Sequence, residues 1–78
     1  MLKMYSKGDC FYCNQARDML INKNMMFEEI KVDQDMESRQ WLVEQGFRSV
    51  PQIWNYDKHI GGYQDLKKFL EKENINVY

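Results

Sequence analysis

Two sulfurs three positions apart are the groups in this chain best suited to chemistry. Cys10 and Cys13 are its 2 cysteines, in the run Asp9-Cys10-Phe11-Tyr12-Cys13. A bridge across so short a span closes almost no loop, so it removes little entropy from the unfolded chain. As a stabilising staple the pair is poor. In a reducing compartment this spacing reads instead as redox or metal chemistry. Structural zinc needs about four ligands, of which the pair supplies half. His59 is the 1 histidine and there is no further cysteine. Thiol–disulfide exchange is therefore the leading reading, with two thiols by chance as the bland one.

The position of the pair sharpens that reading. Cys13, Ala16, Met19, Leu20 and the aliphatic stem of Lys23 share one helical stripe, which predicts a helix from about Cys13 to Lys23. Cys10 then falls where a loop becomes that helix. The first turn of a helix offers unpaired backbone N–H groups and a positive dipole end, both of which favour a thiolate. The Cys10 pKa is expected below the free value of ~8.5. Lys7 adds to the effect and Asp9 opposes it, but both are flexible charges screened by water. Cys10 is expected to be exposed, and Cys13, one turn deeper, to be the less exposed and weaker nucleophile. Chemistry then runs in two steps. The Cys10 thiolate attacks a partner's disulfide, and Cys13 resolves the mixed disulfide, leaving a Cys10–Cys13 bond.

The elements that must hold this pair alternate between strand and helix. Leu2 to Tyr5 reads as a strand, followed by the loop Ser6-Lys7-Gly8-Asp9. After the first helix, Phe27 to Val32 reads as a strand of imperfect alternation. Asp33 to Asp35 offers N-caps for a helix over Met36 to Gln45, with Trp41 and Leu42 turned inward and Gly46 as its stop. Gln52-Ile53-Trp54 is a third strand, with Trp54 expected to be partly exposed. A turn over Asn55 to Lys58 leads to a short fourth strand at His59-Ile60. Gly61-Gly62 breaks the chain before a last helix from about Gln64 to Glu73. The order is β-α-β-α-β-β-α. The first two strands should be parallel through a right-handed crossover, and the last two antiparallel. This is an α/β fold with a four-stranded mixed sheet flanked by three helices.

Composition narrows the function classes. The 78 residues are expected to form a single domain, 1–78, burying only ~60–65% of the surface exposed on unfolding. With 11 basic and 12 acidic residues the net charge is -1, which gives no basic face for nucleic acid. No apolar run approaches the ~18–20 residues of a membrane span, and the Met1-Leu2-Lys3-Met4-Tyr5-Ser6 start has no signal-peptide character. The expectation is a cytoplasmic protein acting without nucleic acid or membrane. The chain is too short to carry its own flavin or nicotinamide domain, so another molecule must supply electrons.

Three motifs now stand together: Tyr5-Ser6-Lys7 leading into Cys10-Phe11-Tyr12-Cys13, then Arg48-Ser49-Val50-Pro51-Gln52-Ile53, then His59-Ile60-Gly61-Gly62-Tyr63-Gln64-Asp65-Leu66. In this order and spacing they resemble glutaredoxin, the small dithiol member of the thioredoxin-like fold, over roughly Met4 to Leu70. The resemblance implies reduction of protein disulfides, or of protein–glutathione mixed disulfides, with glutathione as reductant and no permanently bound cofactor or metal. It implies Cys10 as nucleophile and Cys13 as resolving cysteine. It places Lys7 near the thiolate and a glutathione carboxylate, Tyr12 against the tripeptide, and Val50 before a cis Pro51 with its backbone pairing the ligand. Gly62, Gln64 and Asp65 fall at the γ-glutamyl end, and Arg39 at the glycyl carboxylate. The implied partners are glutathione and disulfide-containing proteins, ribonucleotide reductase among them, approached by a monomer.

The chain departs from that pattern at three places. Phe11 stands where proline is commonest, which restores a backbone N–H at the helix start. The reduction potential is accordingly expected to depart from the ~-200 to -230 mV usual for glutaredoxins. Ser49 stands for threonine and Gln64 for a hydroxyl residue. Competing readings are a redoxin fed by thioredoxin reductase, a [2Fe–2S] dimer using Cys10 and glutathione, and an idle interaction module.

Overall fold

The computed structural model describes residues 1–74, and the side chains of residues 1–72. The elements are β1 (Leu2–Ser6), α1 (Phe11–Asn22), β2 (Phe27–Lys31), α2 (Met36–Glu44), β3 (Gln52–Asn55), β4 (Lys58–Gly61) and α3 (Tyr63–Asn74). The strands form one mixed sheet in the order β2-β1-β3-β4. β1 pairs with β2 in parallel, joined by a crossover through α1, and β3 is antiparallel to both β1 and β4. The four-stranded α/β expectation holds. None of the helices described is long and apolar enough to cross a membrane.

Alternation along the strands sorts the core into two layers. Leu2 and Met4 point to one face, where they pack with Ala16 and Leu20 of α1, Ile53 of β3, and Leu66 and Leu70 of α3. Tyr5 and Trp54 point to the other, against Leu42 of α2. Burying side chains of this size contributes ~1.5–3 kcal/mol each. The imperfect alternation of β2 has a cause in the same geometry. Phe27 joins the α1 face and Ile30 the α2 face. Glu29, two residues beyond Phe27 and so on the α1 face, carries a carboxylate where an apolar residue would be expected.

Both helix stops follow from local chemistry. Gly46 has φ +95° and closes α2 with Gly46 N–H donating to Val43 O and Phe47 N–H to Leu42 O. Asn24, at φ +56°, closes α1 the same way through Ile21 O and Leu20 O. These are paired C-terminal caps of the kind that glycine, and less often asparagine, permits. At the other end of α2, Asp35 is the cap, its carboxylate accepting the Ser38 N–H at 3.4 Å.

Several expectations are corrected here. α1 begins at Phe11 rather than Cys13, and Lys23 is exposed rather than part of the buried stripe. The tryptophans are reversed: Trp54 is 9% exposed and Trp41 38%. Trp54 lies in the sheet itself, covered by Phe47 and His59. Trp41 covers Tyr5 and Trp54 from the α2 side, with ring centroids 5.3 and 5.2 Å away, and its outer surface meets solvent. The β3–β4 turn is the pair Tyr56-Asp57, with Tyr56 at φ +58°.

Candidate active site

β1 delivers the chain to the site, and β2 holds the loop that follows. Val32 N–H donates to Ser6 O at 2.8 Å, and the Asp33 carboxylate accepts the Gly8 N–H at 3.0 Å. Asp9 turns the backbone at φ +56°, a conformation aspartate tolerates better than most residues. Cys10 follows in extended geometry and is the N-cap of α1. Its Sγ accepts the Cys13 N–H at 3.2 Å, where serine or aspartate oxygens usually sit. A sulfur in that place gains from both the N–H group and the dipole, and more as an anion than as a thiol.

The structure holds the pair oxidised, as a Cys10–Cys13 disulfide with Cα atoms 5.2 Å apart. Cys13 is wholly buried and Cys10 is 9% exposed. The order of accessibility is as expected, but the open exposure expected of Cys10 is not found. In this oxidised state its sulfur is tucked back beside the neighbouring loop, 3.9 Å from Val50 O. The residue as a whole exposes little surface to solvent.

That loop divides the surface around Cys10 into two clefts. The larger, about 690 Å³, is walled by Lys7, Arg39 and Arg48, with Asp33, Phe47 and Val50. The smaller, about 360 Å³, is walled by Tyr12, Pro51, Gly62, Tyr63, Gln64 and Asp65, again with Val50. Ser49 and Val50 belong to both. The Val50–Pro51 peptide bond is cis, as the resemblance implied. The expected residues are therefore brought to one region but not to one cavity. Lys7 and Arg39 stand on one side of Val50, and Tyr12, Pro51, Gly62, Gln64 and Asp65 on the other. Sequence reasoning passed over Arg48, Ser49 and Tyr63 as wall residues. For Arg48 and Ser49 the signal was their adjacency to Val50-Pro51.

Local bonds limit what some of these side chains can do. Asp65 Oδ2 accepts the Gly62 N–H at 3.3 Å, so one of its oxygens caps α3. A Cβ on Gly62 would stand 3.4 Å from Pro51 O, at ordinary contact distance, so these two residues face each other closely in the smaller cleft. Tyr12 stacks near Tyr63, with centroids 5.6 Å apart, and both Tyr12 and Phe11 are mostly exposed. Ser49 accepts from Gln52 Nε2 at 3.3 Å, and Gln52 Oε1 meets His59 Nε2 at 2.8 Å.

Behind the disulfide, α1 is braced to the sheet. Arg17 donates to Glu29 through Nε at 2.8 Å and Nη2 at 2.6 Å, and the buried Ser6 hydroxyl donates to the same carboxylate at 2.6 Å. The Arg17 hydrogen bonds, opposed by partial burial and aided by Ser6, pull the Glu29 pKa down to about 2.

Comparison with known proteins agrees with this geometry. The glutaredoxin family model matches residues 2–60. Glutaredoxin 3 of Escherichia coli is 35% identical over 66 residues, covering 83% of this chain and 80% of its own length. Glutaredoxin 1 from Francisella tularensis superposes with a TM-score of 0.80 at 28% identity, covering 96% of both chains. The NrdH-redoxin of Escherichia coli, a glutaredoxin-like protein with a thioredoxin-like activity profile, superposes at 0.77 and 28% identity. It covers 86% of this chain and 91% of that one. A capped, paired sulfur beside a cis-proline thus sits on a fold and a sequence shared with proteins of one kind, and the chain belongs to the glutaredoxin family of thiol–disulfide oxidoreductases.

Proposed function

We propose that the protein is a glutathione-dependent reductant of protein disulfides and of glutathione mixed disulfides. The observation that carries the reading is the Cys10 sulfur, which caps α1 and lies beside Val50, the wall common to both clefts. Cys10 attacks the target disulfide and Cys13 resolves the mixed disulfide, so two electrons pass from the dithiol to the target. Two molecules of glutathione then reduce the Cys10–Cys13 disulfide to the dithiol and leave as glutathione disulfide.

Charge and shape support an assignment for each contact. Lys7 and Arg39 suit the glycyl carboxylate of glutathione. The Val50 backbone, next to Pro51, suits strand-like pairing with an extended tripeptide. Tyr12 flanks the ligand. Gly62 and Gln64 offer the α3 end to the γ-glutamyl carboxylate. Asp65 keeps one oxygen for the γ-glutamyl ammonium while the other caps its helix. We place the protein in the cytoplasm as a monomer, with ribonucleotide reductase among its disulfide targets.

A glutathione-coupled assay on a small mixed disulfide tests the reading, with steady turnover expected. The structural likeness to NrdH-redoxin favours one second reading, a redoxin fed by thioredoxin reductase. Turnover absent with glutathione and restored by thioredoxin reductase would establish that reading in place of the first.

A further inference from the structure

The larger cleft carries more positive charge than a small ligand uses. Lys7, Arg39 and Arg48 all face it and all are exposed. The ion pairs among the described residues are Lys3–Glu28 and Arg17–Glu29, so none of these cations is neutralised by a neighbour. The one carboxylate in that wall, Asp33, accepts the Gly8 N–H at 3.0 Å and offsets one of the three positive charges, so the wall keeps a net positive charge. Across Val50 the smaller cleft has no lysine or arginine and contains Asp65. In a chain of net charge -1 this is a local separation of charge between two clefts that meet at Val50, whose carbonyl oxygen lies 3.9 Å from Cys10 Sγ. Glutathione brings a single carboxylate to the cationic end, which leaves a surplus there. A protein substrate continues past its cysteine and can meet the rest.

We propose that Lys7, Arg39 and Arg48 form a docking wall for an acidic segment next to the target cysteine of a protein substrate, with Arg48 adding charge beyond what glutathione engages. The inference rests on Cys10 being the attacking sulfur, as proposed above. The acidic run lies on one flank of the target cysteine only, because the other flank meets Asp65 and the aromatic wall of Tyr12 and Tyr63. Charges of this kind act mainly by steering and are weakened by salt. In the step itself, the Cys10 thiolate displaces the thiolate leaving group from the peptide disulfide. Cys13 then displaces the peptide thiolate, and the protein ends as the Cys10–Cys13 disulfide.

The test uses the pre-reduced full chain and peptides whose cysteine is disulfide-bonded to neutral mercaptoethanol, so that glutathione takes no part. The cysteine is preceded or followed by a short run of Glu, Gln or Lys, and released peptide thiol is followed after acid quenching. With the run on one of the two flanks, the Glu peptide should be reduced about tenfold faster than the Gln peptide at low ionic strength. At ~0.5 M salt the ratio should fall to about twofold or less. Arg48→Gln should lower the Glu-to-Gln ratio by about threefold, and Arg48→Glu should move the preference toward the Lys peptide. Arg48 is exposed, so both variants are expected to fold. Equal rates for Glu and Gln peptides on both flanks, or a Glu advantage that ignores salt and Arg48, would overturn the inference while leaving the exchange chemistry intact. Failure to reduce any peptide would overturn the underlying reading as well.

Discussion

Arg17 and Glu29 meet edge to edge, Nε to Oε1 at 2.8 Å and Nη2 to Oε2 at 2.6 Å, and so tie the helix that carries both cysteines to β2. The Ser6 hydroxyl, wholly buried at the end of β1, completes the carboxylate's partners at 2.6 Å. The Glu29 pKa is depressed from 4.5 to about 2, first by the Arg17 hydrogen bonds. A depressed carboxylate pKa stabilises the fold fully above the unfolded value and loses that contribution as pH falls through the folded one. Stability should therefore decline between about pH 5 and pH 2, and Glu29→Gln should flatten this decline by about 1–3 kcal/mol. Urea unfolding of the oxidised protein at several pH values measures it. An unchanged acid limb in the variant would show that the pair contributes nothing to acid stability.

Removing the cation alone should be worse than removing the carboxylate. Arg17→Met leaves Glu29 ionised and largely buried with Ser6 as its remaining hydrogen-bond partner, which should cost about 2–3 kcal/mol at neutral pH. The double variant Arg17→Met/Glu29→Gln should recover part of that loss. A double variant no more stable than Arg17→Met would mean the loss is packing rather than charge.

The two cysteines should divide the chemistry. Cys10→Ser should abolish all reduction. Cys13→Ser should keep reduction of glutathione mixed disulfides, which needs one sulfur and free glutathione, and lose reduction of ordinary protein disulfides. Both are read in the glutathione-coupled assay. Equal loss in the two variants would contradict the assignment of attacking and resolving roles.

Because Cys10 Sγ accepts the Cys13 N–H, its thiolate should form below the free value of ~8.5. In the reduced protein the rate of Cys10 alkylation by iodoacetamide, followed against pH by mass spectrometry, should reach half its maximum below that pH. A midpoint at or above ~8.5 would remove the electrostatic basis of the mechanism.

Gly61 and Gly46 should respond differently to alanine. Both have positive φ, +128° and +95°. A Cβ on Gly61 would collide with the Asp65 side chain, which caps α3, whereas one on Gly46 meets nothing within 4 Å. Gly46→Ala should cost about 1 kcal/mol from backbone strain alone, and Gly61→Ala about 2–4 kcal/mol. Thermal unfolding of the two variants gives the comparison, and equal losses would mean that Asp65 moves aside freely.

Much of the fold was legible because its signals are local. The helical stripe of α1, the stop at Gly46, the Asp35 cap and the break at Gly61-Gly62 each depend on residues within a turn or two of one another. The spacing of Cys10 and Cys13 likewise carried the chemistry: once the stripe of α1 sets where the helix begins, it puts one sulfur at the cap and the other within bonding reach.

Tertiary structure decided depth and neighbours. It buried Trp54 rather than Trp41, because a residue's cover on a sheet comes from elements remote in sequence. It drew Cys10 beside Val50, 40 positions away, and left the residue largely buried where exposure was expected. It set Glu29 on an apolar face with Arg17 and Ser6 for partners, which no alternation pattern could reveal. It also split the expected ligand residues between two clefts and brought Arg48 beside Lys7 and Arg39. These outcomes depend on contacts across long stretches of chain, where the folded packing, not the nearest residues, determines which groups meet.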